Sequence, residues 1–256
     1  MSSTLFDLTG KVAVITGSTR GIGRAIAEEM ARAGARVVIS SRKAESCEEV
    51  AAALRAEGLE ALPIPCNISK KAELENLVTE TRKAYGKIDV LVCNAALNPY
   101  YGPMAGASDE VFTKIMAVNI QSNLWLCNMV IPEMAERKDG SVIIVSSIGG
   151  LKGSQVLGLY CICKAADFQL VRNLAVEWGE HNIRVNAIAP GLVKTDFAKA
   201  LWDNPETLAK VEAGTPLRRI GESIDIAGAA VFLGSKAGSW MTGQQIVIDG
   251  GVTISG

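Results

Sequence analysis

Tyr160 and Lys164 lie four residues apart in a stretch of helical pattern. This spacing sets both side chains on one helix face, with Cβ atoms about 5–6 Å apart. The pair suits acid–base chemistry. A free tyrosine hydroxyl has a pKa of about 10, and each unit of change is worth about 1.4 kcal/mol. A neighbouring ammonium stabilises the phenolate and is expected to lower that pKa toward the working range. Such a hydroxyl can give a proton to a carbonyl oxygen or take one from an alcohol. Ser147 directly follows the apolar run Ser141–Ser146 and could orient that oxygen. A Tyr-x-x-x-Lys pair alone is also common as two surface residues, so its weight depends on what surrounds it.

A second constellation, Thr16-Gly17-Ser18-Thr19-Arg20-Gly21-Ile22-Gly23, follows directly on the first β-branched run and leads into a helical pattern. Glycine is needed where a strand turns sharply into a helix and where backbone must approach a pyrophosphate. The helix N-terminus beyond offers free N–H groups and a positive dipole end. The spacing is G-x-x-x-G-x-G, which differs from the general G-x-G-x-x-G fingerprint. Arg20 precedes the helix, where the dipole opposes a cation unless an anion lies close. The second run ends Ser40-Ser41-Arg42-Lys43, where an NAD-binding protein of this kind places an Asp or Glu for the ribose 2′-hydroxyl. Arginine there suits a 2′-phosphate, which it meets with two parallel hydrogen bonds. Glu45, the nearest acid, reads as the opening of the next helix. Either arginine alone is equally a solvated surface charge; together they make NADP(H) the preferred cofactor.

The elements that must hold these residues alternate along the chain. Lys11–Thr16, Arg36–Ser40, Ala61–Pro65, Ile88–Cys93, Ser141–Ser146, Ile183–Ile188 and Gln245–Ile248 read as strands. Most are continuously apolar, as expected when helices cover both faces of a parallel sheet. Helices are expected over about 21–33, 45–57, 70–85, 109–136, 158–180 and 223–233. The βαβα order predicts an α/β fold, a doubly wound parallel sheet of Rossmann type with about seven strands, as one domain over 1–256. Residues 192–220 interrupt the alternation after the sixth strand and are expected to form a substrate lid.

Composition narrows the function classes. The 256 residues include 26 basic and 27 acidic side chains, a net charge of −1, which removes the electrostatic footprint of a nucleic-acid binder. At 48% hydrophobic the chain is globular rather than disordered. There is one histidine, His181, so a zinc site built on several histidines is excluded and no metal is expected. Cys47, Cys66, Cys93, Cys127, Cys161 and Cys163 form no C-x-x-C pair and read as reduced thiols. The start, Met1 to Asp7, lacks a basic region followed by an apolar run, and no run reaches about 18 apolar residues. A cytoplasmic location without an export signal or membrane span is the expectation.

Taken together these motifs resemble the short-chain dehydrogenase/reductase family over nearly the whole chain. The resemblance rests on Thr16-Gly17-x-x-x-Gly21-x-Gly23, on Ser147 standing 13 residues before Tyr160, and on Asn94-Ala95, Asn119 and Pro190-Gly191 in order. It implies Tyr160 as acid/base, Lys164 as its pKa modifier and nicotinamide-ribose partner, Ser147 as donor to the substrate oxygen, and Asn119 as anchor of a proton-relay water. It implies a cofactor site of Gly17, Arg20, Gly21, Ile22 and Gly23, with Ser41 and Arg42 at the ribose. Asn67 and Ile68 would lie near the adenine, Asn94 and Ala95 along the cofactor, and Val193 and Thr195 at the nicotinamide amide beside Gly191. The similarity is greatest to NADP-dependent carbonyl and retinal reductases, and it implies a homotetramer. Two positions depart from the pattern. Asn67 replaces the usual Asp near the adenine while keeping a carbonyl acceptor, and Ala96 replaces a glycine, so the backbone there must avoid positive φ.

The expected reaction is hydride transfer between NADP(H) and a hydrophobic ketone, aldehyde or alcohol. Its pocket walls would come from Pro99, Tyr100, Tyr101, Leu157, Leu192, Phe197 and Trp202, which are mostly apolar or aromatic. Two alternatives stand beside it. One is a 3-oxoacyl-thioester reductase of fatty-acid synthesis, which would need basic surface for an acidic carrier. The other is a cofactor-binding regulator without catalysis, which an intact Asn119, Ser147, Tyr160 and Lys164 set opposes.

Overall fold

The computed structural model describes residues 4–255; Met1–Ser3, read above for an export signal, and Gly256 lie outside them. The apolar runs become strands β1 (Val12–Thr16), β2 (Arg36–Ser40), β3 (Ala61–Pro63), β4 (Val90–Cys93), β5 (Gly140–Val145), β6 (Ile183–Pro190) and β7 (Gln245–Ile248). Between them run helices α1 (Gly21–Arg32), α2 (Ala44–Ala56), α3 (Lys71–Tyr85), α4 (Asp109–Met116), α5 (Ser122–Arg137), α6 (Gly158–Trp178), α7 (Lys199–Trp202), α8 (Pro205–Gly214) and α9 (Ser223–Gly234). The described residues form one seven-stranded sheet in the order β3-β2-β1-β4-β5-β6-β7, with every pairing parallel. This is the doubly wound fold the alternation predicts.

Successive strand residues point to opposite faces, so each strand feeds two cores. Val14, Val38, Leu91, Val142 and Ile144 pack under α3, α5 and α6. Ala13, Ile15, Val37, Ile39, Val92 and Ile143 pack under α1, α2 and α9. Each fully buried Val, Leu or Ile contributes roughly 1.5–3 kcal/mol relative to exposure. The winding reverses between β1 and β4, so the connections leaving their carboxyl ends diverge and open a crevice there.

Several boundaries differ from the sequence expectation for local reasons. The fourth strand starts at Val90 because Ile88 is diverted: its N–H donates to Glu133 and its carbonyl accepts from Arg137. The third strand stops at Pro63, and Pro65 beyond it has no N–H to give a ladder. The sixth runs on to Pro190, paired with Ile248 of β7. The helix expected over 109–136 is continuous in direction but widens into a π-turn at Ala117–Gln121 between α4 and α5. That turn carries Asn119, which a uniform α-helix would present at a different angle.

Candidate active site

The carboxyl edge of β5 and the start of α6 bring Ser147, Tyr160 and Lys164, the residues expected to transfer a proton, together. Tyr160 stands in the first turn of α6, and Lys164 one turn on. Ser147 follows β5 and caps a 3₁₀ turn at Ile148–Gly150, its Oγ accepting from the Gly149 N–H at 3.0 Å. The turn seats directly on α6, since a Cβ on Gly150 would lie 2.6 Å from the Lys164 carbonyl carbon and from the Phe168 ring. Only glycine permits that approach, which sets Ser147 beside Tyr160.

The electrostatics correct one expectation. Burial raises the Tyr160 pKa above its ordinary value; the pull of Lys164 and the Ser147 hydroxyl downward does not overcome it. Lys164 does lower the phenol, as its spacing implies, but packing around the ring outweighs it. The Lys164 Nζ lies 5.7 Å from the Tyr160 ring centre. It donates to the Val145 carbonyl and to Asp167 Oδ2, each at 3.0 Å. Burial works against its charge, yet Asp167 and Tyr160 leave its pKa above that of a free lysine.

Asn119 is fully buried, and its side chain clamps the Leu97 backbone: Oδ1 accepts the Leu97 N–H and Nδ2 donates to the Leu97 carbonyl, both at 2.8 Å. Its own carbonyl accepts from Asn123 Nδ2 at 2.7 Å. Sequence reading missed Asn123 and Asp167. An acid three residues after a lysine on one helix is a recognisable ion-pair spacing, and Asp167 could have been found from it.

The glycine turn is held by neighbours on β4. Gly17 and Gly21 adopt positive φ of 68° and 55°. Asn94 donates from Nδ2 to the Thr16 carbonyl at 2.9 Å, and the Asn94 and Ala95 N–H groups both donate to Thr16 Oγ1 at 3.0 Å. Asn94 thus braces the turn. A Cβ on Gly21 would lie 3.1 Å from Thr195, so the turn also abuts the segment after β6. Helix α1 begins with no side-chain cap and no acid in its first turn, leaving its N–H groups for an anion. These features fit a dinucleotide pyrophosphate. Ile22 packs its side chain toward the core beside α1.

At the carboxyl end of β2, Arg42 is exposed and joins no ion pair among the described residues, while Glu45 opens α2. Ser41 gives its backbone N–H to Cys47 Sγ at 3.2 Å. Arg20 instead pairs with Asp196 at 3.3 Å, with both side chains 70% exposed, so an anion does sit beside it. Asn67 Oδ1 accepts from the Ser69 N–H and hydroxyl at 3.2 and 2.9 Å, so its carbonyl acceptor is turned to Ser69. Ile68 packs against the core under α3. Ala96 has no positive φ.

Gly191 touches the Asp249 backbone, Val193 is buried beside Gly221, and Thr195 caps a short turn at Asp196–Ala198. Residues 192–220 then form that turn, α7 and α8. The Phe197 ring lies 6.1 Å from that of Tyr160, and Trp202 Nε1 donates to the Thr195 carbonyl at 3.0 Å. Of the other wall residues, Tyr100 is tied back to the Pro103 carbonyl, Pro99 and Tyr101 are exposed, and Leu157 and Leu192 are half-buried. Leu97, which sequence reading missed, packs against the same Ile115, Leu159 and Cys163 cluster as Tyr160. His181 sits in a turn just before β6, at the opposite end of the sheet, and takes no part. All six cysteines are free, and no helix among the described residues is long and apolar enough to cross a membrane.

Comparison with known proteins agrees with this architecture. A sequence profile of the family described as enoyl-(acyl carrier protein) reductase matches residues 17–253. Dehydrogenase/reductase SDR family member 4 of Bos taurus is 41% identical over 244 residues, covering 95% of this chain and 88% of its own. The human mitochondrial dehydrogenase/reductase SDR family member 2 is 42% identical over 254 residues, covering 98% and 90%. Among solved structures, a gluconate 5-dehydrogenase from Burkholderia cenocepacia in complex with NADP and tartrate superposes with a TM-score of 0.94 at 30% identity, covering 99% of each chain. A 7α-hydroxysteroid dehydrogenase complexed with NADH and 7-oxo glycochenodeoxycholic acid gives 0.94 at 37% identity, covering 98% and 97%. With its parallel sheet, its glycine turn at the switch point and relatives over its full length, the chain belongs to the short-chain dehydrogenase/reductase family of nicotinamide-dinucleotide oxidoreductases.

Proposed function

We propose that this chain interconverts a hydrophobic ketone or aldehyde and its alcohol using NADP(H). The observation that carries the reading is the meeting of Ser147, Tyr160 and Lys164 at the sheet edge beside the glycine turn. The free Arg42, with no acid at the end of β2, supports a 2′-phosphate there. The apolar Leu97, Leu157, Leu192, Phe197 and Trp202 around the edge support a hydrophobic substrate.

When bound, the nicotinamide supplies or accepts the hydride. The residues do the rest. Ser147 Oγ already accepts from Gly149, so its own hydrogen is left to donate to the substrate oxygen. Tyr160, kept protonated at neutral pH, gives its proton to a carbonyl oxygen during reduction. Lys164 stabilises the phenolate so formed, and the third N–H of its ammonium remains for a ribose hydroxyl. The segment 192–220 acts as the lid, with Phe197 against Tyr160. Exposed Phe112 and Val176 on the long helices and Trp240 near β7 support a homotetramer.

The test is a panel of ketones, aldehydes and an acyl thioester, each with NADPH and NADH. Reduction of hydrophobic carbonyls with NADPH is expected. Tyr160→Phe should lose roughly 10²–10⁴-fold in turnover while binding NADPH as the native protein does. Full turnover in Tyr160→Phe, or NADH bound as tightly as NADPH, would overturn the corresponding part.

A further inference from the structure

We propose that Asp167 is a positioning residue for the reaction: its buried carboxylate keeps Lys164 charged and fixes it in place, so that Tyr160 always faces a cation. This inference rests on the proton-transfer role given to Tyr160 above. The Lys164 and Asp167 side chains are 2% and 0% exposed, with Nζ and Oδ2 at 3.0 Å. Asp167 Oδ1 also accepts from Asn123 Nδ2 at 3.3 Å, and Asn123 donates to the Asn119 carbonyl. The network thus runs from Tyr160's cation through α6 to the π-turn and α5. Every other titratable group facing the pair is neutral at neutral pH. Tyr160 and Cys163 on α6 are pushed up by burial. Cys93 on β4, in contact with Cys127 on α5 and buried, is also raised. Asp167 is therefore the counter-charge for this ammonium among the described residues.

A buried ammonium without a partner sheds its proton instead of bearing the desolvation cost. Removing the carboxylate should then drop the Lys164 pKa into the assay range, leaving the ammonium charged near pH 6 and neutral by pH 9. Lys164 lies nearer to Tyr160 than Asp167 does and acts on it more strongly, so losing both charges leaves the developing phenolate less stabilised. The consequence is a pH signature that loss of packing alone would not produce.

The experiment compares native protein, Asp167→Asn and Asp167→Glu in carbonyl reduction from pH 6 to 9, with thermal unfolding measured over pH 6 to 10. Asp167→Asn should match native kcat within about threefold at pH 6 and lose at least about tenfold by pH 9, with KM little changed. Asp167→Glu should restore the native pH profile. The stability penalty should move the opposite way. A lysine whose folded pKa is depressed costs stability in full below that pKa, and the cost fades as pH rises through the window where the unfolded chain still binds the proton and the folded chain does not, so the deficit of Asp167→Asn shrinks as pH rises toward 10. An Asp167→Asn profile parallel to native in both readouts would overturn the proposal. If native protein reduces no carbonyl, the functional reading fails, and the stability profile alone decides this one. If Asp167→Asn does not fold, the double variant Lys164→Met/Asp167→Leu decides: folding of the double supports an orphaned ammonium as the cause, and its failure refutes that.

Discussion

Gly23 is the position where one methyl group should separate cofactor binding from folding. A Cβ there would lie 2.4 Å from both the Gly17 carbonyl oxygen and Asn94 Nδ2, and 2.9 Å from the Gly17 carbonyl carbon. Ordinary contact begins at 3.4 Å, so the turn and α1 must part by about 1 Å. Two of those three atoms are backbone, and no rotamer change relieves them. Overpacking of this kind costs about 1–3 kcal/mol of stability, a fall in Tm of roughly 2–12 °C for a chain of this size. The same displacement moves the α1 N-terminus away from the pyrophosphate. Losing one charge-assisted hydrogen bond there, worth about 1.5–3 kcal/mol, weakens NADPH binding roughly 10–150-fold. The assay is NADPH titration by fluorescence with thermal unfolding on Gly23→Ala. Gly228→Ala is its control: that glycine lies in α9 with nothing within 4 Å of its added Cβ, so the change should stabilise by about 0.5–1 kcal/mol. Gly23→Ala with native Tm and NADPH affinity within about threefold would refute the close-packing account of the turn.

Arg42→Ala should weaken NADPH by roughly 10-fold or more while leaving NADH and Tm unchanged, because Arg42 holds nothing in the fold; equal loss for both cofactors in titration would remove it from the 2′-phosphate. Since burial raises the Tyr160 pKa, carbonyl reduction should hold its rate through neutral pH and fall only on the alkaline side, while alcohol oxidation climbs there. A rate profile for reduction that falls between pH 6 and 8 would contradict this. The linked stability has the same sense. The unfolded chain loses the tyrosine proton first, near pH 10, so this residue's contribution is intact below that value and is lost as pH rises through the folded pKa, which pH-dependent unfolding would reveal.

Much of the fold was legible in order and type of element. The runs Val12–Thr16, Arg36–Ser40 and Gln245–Ile248 emerge with the bounds their β-branched residues suggest or within one residue of them. Boundaries failed where a side chain from a distant helix captured the backbone, as Glu133 and Arg137 do at Ile88. The π-turn at Ala117–Gln121 left no periodic trace, because one widened turn shifts the apolar register by a single residue.

The residues of the site divide in the same way. Sequence alone determined that Tyr160 and Lys164 share a helix face, that Ser147 lies just past the fifth strand and that glycines shape the turn before α1. Each of these follows from local geometry and spacing. Tertiary structure alone decided that Arg20 meets Asp196 from 176 residues away. It also set the direction of the Tyr160 pKa and joined Asp167 to Asn123 across 44 residues. Burial and counter-charge depend on which surfaces are packed together from remote parts of the chain, and no local pattern encodes the dielectric a side chain will meet.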